Sequence, residues 1–343
     1  MKTRLFVSAC ALAIALSAGS SAFAQDKAPE KTQDRDGVVA TYAPTPPVIY
    51  PGGVESYRDV TYAEPRGYRP LAMDLYLPPK GGAAKPVIVF LHGGAWQHHT
   101  ARDNGAYKDF PAVLASFAAR GYVVASVNYR NAKEAKYPGA VLDSEAAIRW
   151  LRTHAADYSI DSNRFVLWGS SAGGEMATLI GAGCGTPAIE PANLKPGAPS
   201  DCVQGVIDWY GVVDFDHFWQ DLGRVDASLS DAINDYLGCD LTSNCPAGLA
   251  RSAGPFPYIN AKTPPFLIQH GTADTTVSPK QSQRLYDALK AAGVPAEIVF
   301  YPGVAHGLVK PNGGGPDEAV NAQALAKVNA WLDHYFPTSV GGR

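Results

Sequence analysis

A serine closely flanked by glycine lies at a predicted strand-to-helix turn in the middle of the chain. The stretch Gly169-Ser-Ser-Ala-Gly173 follows the apolar run Phe165–Trp168 and precedes a segment of helical character. A serine on such a turn needs small neighbours, because the backbone is strained there and packs against the helix. The turn exposes the hydroxyl, and the following amide lies at the helix N-terminus, where negative charge is stabilised. We therefore predict that Ser171, with glycine two residues away on both sides, is a nucleophile.

Two other interpretations of this turn fail on spacing. A dinucleotide-binding fingerprint requires glycine at its first, third and sixth positions, and the third position here is Ser171. A phosphate-binding loop would end in Gly-Lys followed by Ser or Thr, and that ending is absent. A glycine-rich turn can also simply begin a helix, so the interpretation depends on whether the chain supplies a base and an acid.

Suitable partners follow two later strands. A serine hydroxyl becomes a strong nucleophile when a base takes its proton and a third group orients that base. Asp274 lies just after the predicted strand Pro265–Gln269, and His306 lies just after the predicted strand Ala296–Tyr301. Because active sites of open parallel sheets lie beyond the carboxyl ends of the strands, we expect these side chains to meet Ser171 there.

Other acids and histidines are less suited to these roles. Asp208 and Asp214 flank an earlier strand and are the alternative acids. His154 and His334 lie in predicted helices, and His270 precedes Asp274 on the same strand. Neither a metal nor a cofactor is predicted, because no cluster of histidine, cysteine and carboxylate residues has the spacing of a metal site.

A second glycine-rich turn, His92-Gly-Gly-Ala-Trp96, follows the apolar strand Pro86–Leu91. Acyl transfer places negative charge on the former carbonyl oxygen, and backbone amides aimed at that oxygen stabilise the transition state. Glycine lets the backbone turn inward with no side chain in the way. We therefore assign the amides of Gly93, Gly94 and Ala172 to an oxyanion hole.

Strand and helix patterns alternate along most of the chain. Continuous apolar strands separated by helices predict a parallel sheet covered by helices on both faces. Irregular segments at about 184–202 and 214–262 interrupt this alternation, and such insertions commonly build pocket walls. Flat rings there and beside the oxyanion glycines could stack on a substrate. We predict substrate contacts for Trp96, Phe218 and Trp219.

The aromatic pair Trp209-Tyr210 comes directly after an apolar strand. For this pair we expect a place in the hydrophobic core rather than contact with a substrate.

The N-terminal region has the pattern of an exported protein. Residues 1–24 combine Lys2 and Arg4, an apolar run and an Ala-Phe-Ala cleavage site, as a secretory signal does. Residues 25–56 are charged and proline-rich and are predicted to be a flexible lead-in before a catalytic domain at 57–338. The net charge of −3 shows no basic excess, so neither nucleic acid nor an anionic membrane is an expected partner. We expect a periplasmic or extracellular location.

Four cysteines remain after the predicted signal. An even number in an oxidising compartment indicates disulfides, with three possible pairings. We favour Cys184–Cys202 and Cys239–Cys245, because each pair brackets a loop that contains proline or glycine. Four buried thiols are the alternative.

Four motifs occur in an order that resembles the α/β-hydrolase superfamily. They are the two glycine turns described above, then His270-Gly-Thr-Ala-Asp274, and then Gly303-Val-Ala-His-Gly307. Within it the chain resembles esterases related to hormone-sensitive lipase, especially the bifunctional feruloyl/acetylxylan esterase-like group, over residues 57–336. Further stretches similar to that group are Asn128–Asp143, Tyr158–Arg164 and Val203–Phe215. The chain departs from the classical lipase relatives at Ala95, where they carry a third glycine, and at Ser170, where they carry Asp.

The resemblance implies an α/β-hydrolase fold with a mostly parallel eight-stranded sheet, helices on both faces and an insertion after strand 6. It also implies a serine esterase without a cofactor that acts on small or polysaccharide-linked esters. A general short-chain carboxylesterase is the alternative. A peptidase of the prolyl-oligopeptidase kind is less favoured, because such enzymes usually carry a large additional domain for which we expect no room in this chain. A non-catalytic binding protein is less favoured, because the triad and oxyanion residues are complete. The sequence does not define the oligomeric state.

Overall fold

A computed structural model describes residues 46–98, 100–186, 194 and 196–339, which belong to one compact unit, Thr45–Arg343. In this part of the chain nine strands form a single sheet in the order β1-β2-β3-β5-β4-β6-β7-β8-β9. The strands are β1 (Val48–Tyr50), β2 (Val54–Ala63), β3 (Leu71–Leu77), β4 (Lys85–Leu91), β5 (Val123–Val127), β6 (Ile160–Ser170), β7 (Gly205–Trp209), β8 (Phe266–Gly271) and β9 (Ala296–Tyr301). The helices are α1 (Phe110–Ala119), α2 (Gly139–Thr153), α3 (Ala172–Ala182), α4 (Phe218–Leu222), α5 (Ala227–Leu237), α6 (Leu249–Ser252), α7 (Pro279–Ala291) and α8 (Glu318–Tyr335).

The sheet is parallel from β4 to β9, and β1, β2 and β3 join it in antiparallel fashion. Both faces of the central strands are covered. Val87, Val89 and Leu91 of β4 pack into one hydrophobic cluster together with residues of α2, α3 and α7. Ile88 and Phe90 point to the other face and pack with residues of α1 and α8. The α/β-hydrolase fold predicted from the sequence is therefore confirmed.

The sheet has one strand more than the predicted eight. The additional strand is β1, which pairs with β2, so the sheet begins before the predicted domain start at residue 57. A strand of three residues that exposes Val48 and Ile49 leaves little hydrophobic pattern to detect. The predicted signal at 1–24 and most of the lead-in at 25–56 lie outside the described residues.

The insertion at 214–262 follows β7 and is more regular than predicted, because it contains α4, α5 and α6. Asp226 caps the N-terminus of α5, and its side chain accepts a hydrogen bond from the amide of Leu229. Gly238, with φ +75°, caps the C-terminus. Short helices with mixed polar and apolar residues give a weak periodic pattern, so they were not separated from irregular structure.

Both predicted disulfides are confirmed. Cys184 bonds to Cys202 and Cys239 bonds to Cys245. The first bond closes the segment that follows α3, and the second closes the loop that follows α5, so each links a helix end to later irregular chain.

A buried carboxyl on β7 gives the fold an expected pH dependence. Asp208 is fully buried, and its Oδ1 accepts a hydrogen bond of 2.9 Å from the amide of Gly211. Its Oδ2 has no hydrogen-bond partner among the described residues. Burial raises the pKa of Asp208 to about 7, and the Gly211 hydrogen bond offsets only part of that rise.

We expect Asp208→Asn to remove a pH-dependent loss of stability. In the unfolded chain the carboxyl ionises near pH 4, whereas in the folded protein it ionises at about 7. Unfolding therefore releases a proton between these values, and the contribution of Asp208 to stability falls as the pH rises through this range. Urea unfolding of both proteins should show the variant gaining on the order of 2 kcal/mol relative to the wild type between pH 5 and pH 7. An identical pH dependence of stability in the two proteins would contradict the raised pKa of Asp208.

Candidate active site

The turn between β6 and α3 holds Ser171 in a strained conformation. β6 ends at Ser170 and α3 begins at Ala172, and Ser171 between them has φ +54° and ψ −118°. The space around the turn explains its glycines. A Cβ on Gly169 would lie 2.0 Å from the carbonyl oxygen of Gly173, and one on Gly173 would lie 2.0 Å from that of Leu91. The turn is therefore packed backbone against backbone, as expected for a serine presented on a sharp strand-to-helix turn.

Three predicted residues meet at the carboxyl edge of the sheet. The Ser171 hydroxyl lies 2.9 Å from Nε2 of His306, and Nδ1 of His306 lies 2.7 Å from Oδ2 of Asp274. Asp274 lies on the loop after β8, and His306 lies on the loop after β9. In the neutral imidazole with hydrogen on Nδ1, Nδ1 donates to the carboxylate and Nε2 accepts from the serine hydroxyl. This arrangement can take a proton from Ser171 and stabilise the resulting imidazolium.

The Asp274 carboxylate is fixed by further donors. Its Oδ1 accepts hydrogen bonds from the amides of Thr276, at 2.8 Å, and Val277, at 2.9 Å. Nε2 of His270 lies 3.2 Å from Oδ2. Burial alone would raise the pKa of Asp274, but the charge and hydrogen bonds of His306 and His270 outweigh burial and hold this pKa well below its usual range. Asp274 is therefore ionised and can stabilise the positive charge that forms on His306.

His270 is a site residue that the sequence interpretation set aside, because it precedes the acid on the same strand. Its ring is fully buried, and Nδ1 lies 2.7 Å from the hydroxyl of Ser282 on α7. The sequence signal that could have identified it is its position four residues before Asp274. The chain turns after β8 ends at Gly271, and this turn brings the two side chains into contact.

The alternative acids lie apart from the serine–histidine pair. Asp208 points toward Gly174 and Gly211, where a Cβ on either glycine would lie 2.5 Å from Oδ1. Asp214 forms an ion pair with Arg284 at 3.0 Å, and its Oδ2 lies within hydrogen-bond distance, 2.8 Å, of Nδ1 of His217. Neither carboxyl is placed to orient His306.

The second glycine turn lies directly against the nucleophile. A Cβ on Gly93 would lie 3.0 Å from the carbonyl oxygen of Ser170 and 3.2 Å from Cβ of Ser171. Gly94 follows with φ +107°, and Ala172, next to Ser171, is the first residue of α3. The three residues predicted to form an oxyanion hole thus lie on the two backbone segments that adjoin the serine.

A cavity of about 410 Å³ opens beside Ser171 and His306. Its apolar walls include Trp96, Tyr210, Val212, Leu229, Val277 and Val309. Trp96 also borders the cavity but is only 1% exposed, and its contact with a substrate stays a prediction. Tyr210 is buried in the hydrophobic core, as expected, and also borders the cavity, where its ring packs edge-on against His306 with centroids 4.9 Å apart. Trp209 is fully buried in the core, as expected.

The predicted substrate contacts of Phe218 and Trp219 are not found, because neither residue lines this cavity. Helix α4 directs the Phe218 ring into the hydrophobic core, where it is 1% exposed, and Trp219 packs edge-on against it at 4.9 Å. In addition, the described residues contain no group of three or more His, Cys, Asp or Glu side chains that could hold a metal ion.

The chain is similar to known esterase families and to solved esterase structures. The BD-FAE family model matches residues 73–289, and the Dienelactone hydrolase family model matches residues 255–336. The esterase Est2 of Thermogutta terrifontis has 26% sequence identity and a TM-score of 0.66, and the match covers 83% of this chain and 94% of that chain. A truncated carbohydrate esterase from gut microbiota has 25% identity and a TM-score of 0.66, with 82% and 95% covered.

Curated relatives are also esterases. Esterase LipC of Mycobacterium tuberculosis is 30% identical over 243 residues, which cover 70% of this chain and 57% of LipC. Isoprenylcysteine alpha-carbonyl methylesterase ICME of Arabidopsis thaliana is 29% identical over 262 residues, which cover 72% of this chain and 56% of ICME. The chain spans about half the length of the curated relatives it matches.

The contact between Gly93 and Ser171 yields a testable expectation. Gly93→Ala should lower the rate of p-nitrophenyl acetate cleavage about tenfold, because the added methyl group must displace the serine turn by a few tenths of an ångström. Gly314→Ala is the matched control, since its added methyl group would come as close to a neighbour, Cβ of Lys310 at 2.9 Å, at an exposed position that does not line the cavity. We expect its effect to be much smaller. Equal rates in the two variants would show that the close contact at Gly93 is unimportant.

Proposed function

The chain belongs to the BD-FAE family, whose model matches residues 73–289, and from this premise we propose that it is a serine carboxylic-ester hydrolase. The observation that carries the proposal is the continuous hydrogen-bond path from Ser171 through His306 to Asp274, with distances of 2.9 Å and 2.7 Å, at one end of an apolar cavity. Similarity to esterases in sequence and structure supports it.

In the proposed acylation step, Ser171 Oγ attacks the ester carbonyl while Nε2 of His306 takes the hydroxyl proton. The carbonyl oxygen becomes an oxyanion, which the amides of Gly93, Gly94 and Ala172 stabilise. Asp274 keeps the imidazole in the required orientation and stabilises its cation. The imidazolium then gives its proton to the alcohol oxygen, the bond between the acyl carbon and that oxygen breaks, and an acyl-serine remains.

Deacylation repeats these steps with water as the nucleophile. Nε2 of His306 takes one proton from water while the oxygen of that water attacks the acyl carbon. The bond to Ser171 Oγ then breaks, and the proton on the imidazole returns to the serine. The carboxylic acid leaves, and the side chains regain their initial states.

We further propose acetyl or feruloyl esters of plant cell-wall polysaccharides as substrates. Membership of the BD-FAE family and similarity to a carbohydrate esterase support this substrate class. The apolar walls and the volume of about 410 Å³ suit either a small acyl group or a phenolic one. A general short-chain carboxylesterase is the second candidate, because the related Est2 has been solved with propionate and with butyrate bound.

Export to the periplasm or the extracellular space is also part of the proposal. The signal-like pattern of residues 1–24 and the two disulfides support it. Among the described residues, no helix combines the length and apolar character needed to cross a bilayer.

The triad assignment predicts large and selective losses. Ser171→Ala should lower kcat on the order of a millionfold. Asp274→Asn should lower it on the order of ten-thousandfold, because the amides of Thr276 and Val277 hold the carbonyl oxygen at Oδ1, so the amide nitrogen faces Nδ1 of His306 and favours the wrong tautomer. Asp214→Asn, which alters a carboxylate of similar burial outside the hydrogen-bond path, should keep most of the activity. Full activity of the Ser171→Ala protein on p-nitrophenyl acetate would refute the proposed function.

The substrate class can be tested by comparing the wild type with Ser171→Ala on methyl ferulate, acetylated xylan, and p-nitrophenyl acetate and butyrate. We expect the wild type alone to release ferulate or acetate from the first two substrates. Cleavage restricted to the nitrophenyl esters would favour the general carboxylesterase. The Ser171→Ala control assigns any observed release to this site.

A further inference from the structure

The backbone beside Ser171 adopts a conformation that needs external support. Gly94, Ala95 and Trp96 are three successive residues with φ of +107°, +52° and +56°. The second and third have side chains, for which this region is unfavourable. At the start of the turn, the hydroxyl of Tyr129 donates to the carbonyl oxygen of His92 at 2.8 Å. The support at the other end comes from the side chain of Trp96.

The Trp96 indole is anchored by a buried carboxyl. Its ring is 1% exposed, and Nε1 donates to Oε2 of Glu175 at 2.9 Å. The ring also stacks on Tyr236 of α5, with centroids 4.3 Å apart and planes 7° from parallel. The Tyr236 hydroxyl donates to Oε1 of Glu175 at 3.2 Å. Each oxygen of the Glu175 carboxyl therefore accepts a hydrogen bond from one of the two stacked rings.

Glu175 lies on the helix that carries the nucleophile turn. Its amide donates to the carbonyl oxygen of Ser171 at 3.0 Å, one helical turn earlier. The side chain is fully buried, and burial raises its pKa well above the usual range despite the hydrogen bonds from Trp96 and Tyr236. An apolar side chain would avoid this desolvation, so stability alone gives little reason for a carboxyl here.

We propose that Glu175 is a positioning residue that holds the Gly93–Trp96 turn in register with Ser171 through the indole of Trp96. Through Tyr236 it also makes this register depend on α5 of the insertion. The inference rests on the proposed function, because the amides of Gly93 and Gly94 matter only where an oxyanion forms. Without the anchor, Trp96 can rotate and the strained turn can relax, which moves those amides away from the oxygen they stabilise.

The test replaces Glu175 with Leu, which keeps similar bulk and removes both acceptors. We expect kcat per active site to fall between about tenfold and a hundredfold, in the range of losing part of an oxyanion contact. KM should change less than about threefold, because Trp96 is only 1% exposed and offers little surface to a bound substrate. Active sites are counted by the stoichiometric release of p-nitrophenol from paraoxon. Glu175→Gln retains a carbonyl oxygen for Trp96 and should restore most of the loss.

Glu145→Leu is the matched control. Glu145 is a buried glutamate on α2 whose Oε2 lies 3.4 Å from Arg149, and it does not line the cavity. Its loss should lower the melting temperature and leave kcat per active site unchanged. A trifluoromethyl ketone that forms a tetrahedral adduct with serine should bind more weakly to Glu175→Leu, in parallel with kcat/KM, and with unchanged affinity to Glu145→Leu.

A kcat per active site equal to that of the wild type in Glu175→Leu would overturn the inference, whatever the stability of that variant. If Glu175→Leu does not fold, Trp96→Phe provides the same test, because it keeps a stacked ring and removes the N–H donor. It should show the same fall in kcat, and a normal kcat would again overturn the inference. These outcomes are separate from failure of the proposed function, which would appear as full activity in Ser171→Ala.

Discussion

Close approach of backbone to backbone is the constraint on which the rest of this structure depends. At the junction of β4, β6 and α3, carbonyl groups occupy the space where the side chains of Gly169 and Gly173 would lie. Gly93 also approaches the serine turn from the other glycine segment, where an added Cβ would lie 3.0 Å from the carbonyl oxygen of Ser170. This packing forces Ser171 into its strained conformation and brings a second row of amides beside it. The serine and its proposed oxyanion hole are therefore consequences of a single steric arrangement.

The parallel sheet supplies the remaining parts of the site by topology. β6, β8 and β9 end at the same edge, so the residues that follow them converge although they are far apart in the chain. The motif order and this rule were sufficient to predict Ser171, Asp274 and His306 as neighbours. The mostly parallel sheet, its helices on both faces and the burial of its central strands were likewise accessible, because continuous apolar strands that alternate with helices have few other solutions.

Features that depend on tertiary contacts were not accessible from the sequence. Tyr210 packs against His306 because both follow strands that end at the same edge of the sheet, whereas Phe218 is buried because α4 of the insertion directs it into the core. A list of nearby aromatic residues cannot distinguish these outcomes, because an aromatic ring suits a core and a cavity wall equally well. The role of His270 was missed for a related reason. Its contribution is a contact with the Asp274 carboxylate, and that contact depends on how the chain turns after the end of β8.

Three buried carboxyls surround the serine turn, and their environments set their charges differently. Asp274 is kept ionised because two imidazoles and two backbone amides compensate its burial. Asp208 and Glu175 have only neutral donors, and burial raises the pKa of both. A charged carboxylate close to the proposed oxyanion hole would oppose the negative charge that forms there, whereas a neutral carboxyl can still accept hydrogen bonds. Burial without a cation raises the pKa of Glu175 and so disfavours a negative charge beside the developing anion, and Oε2 can accept from the Trp96 N–H in either protonation state.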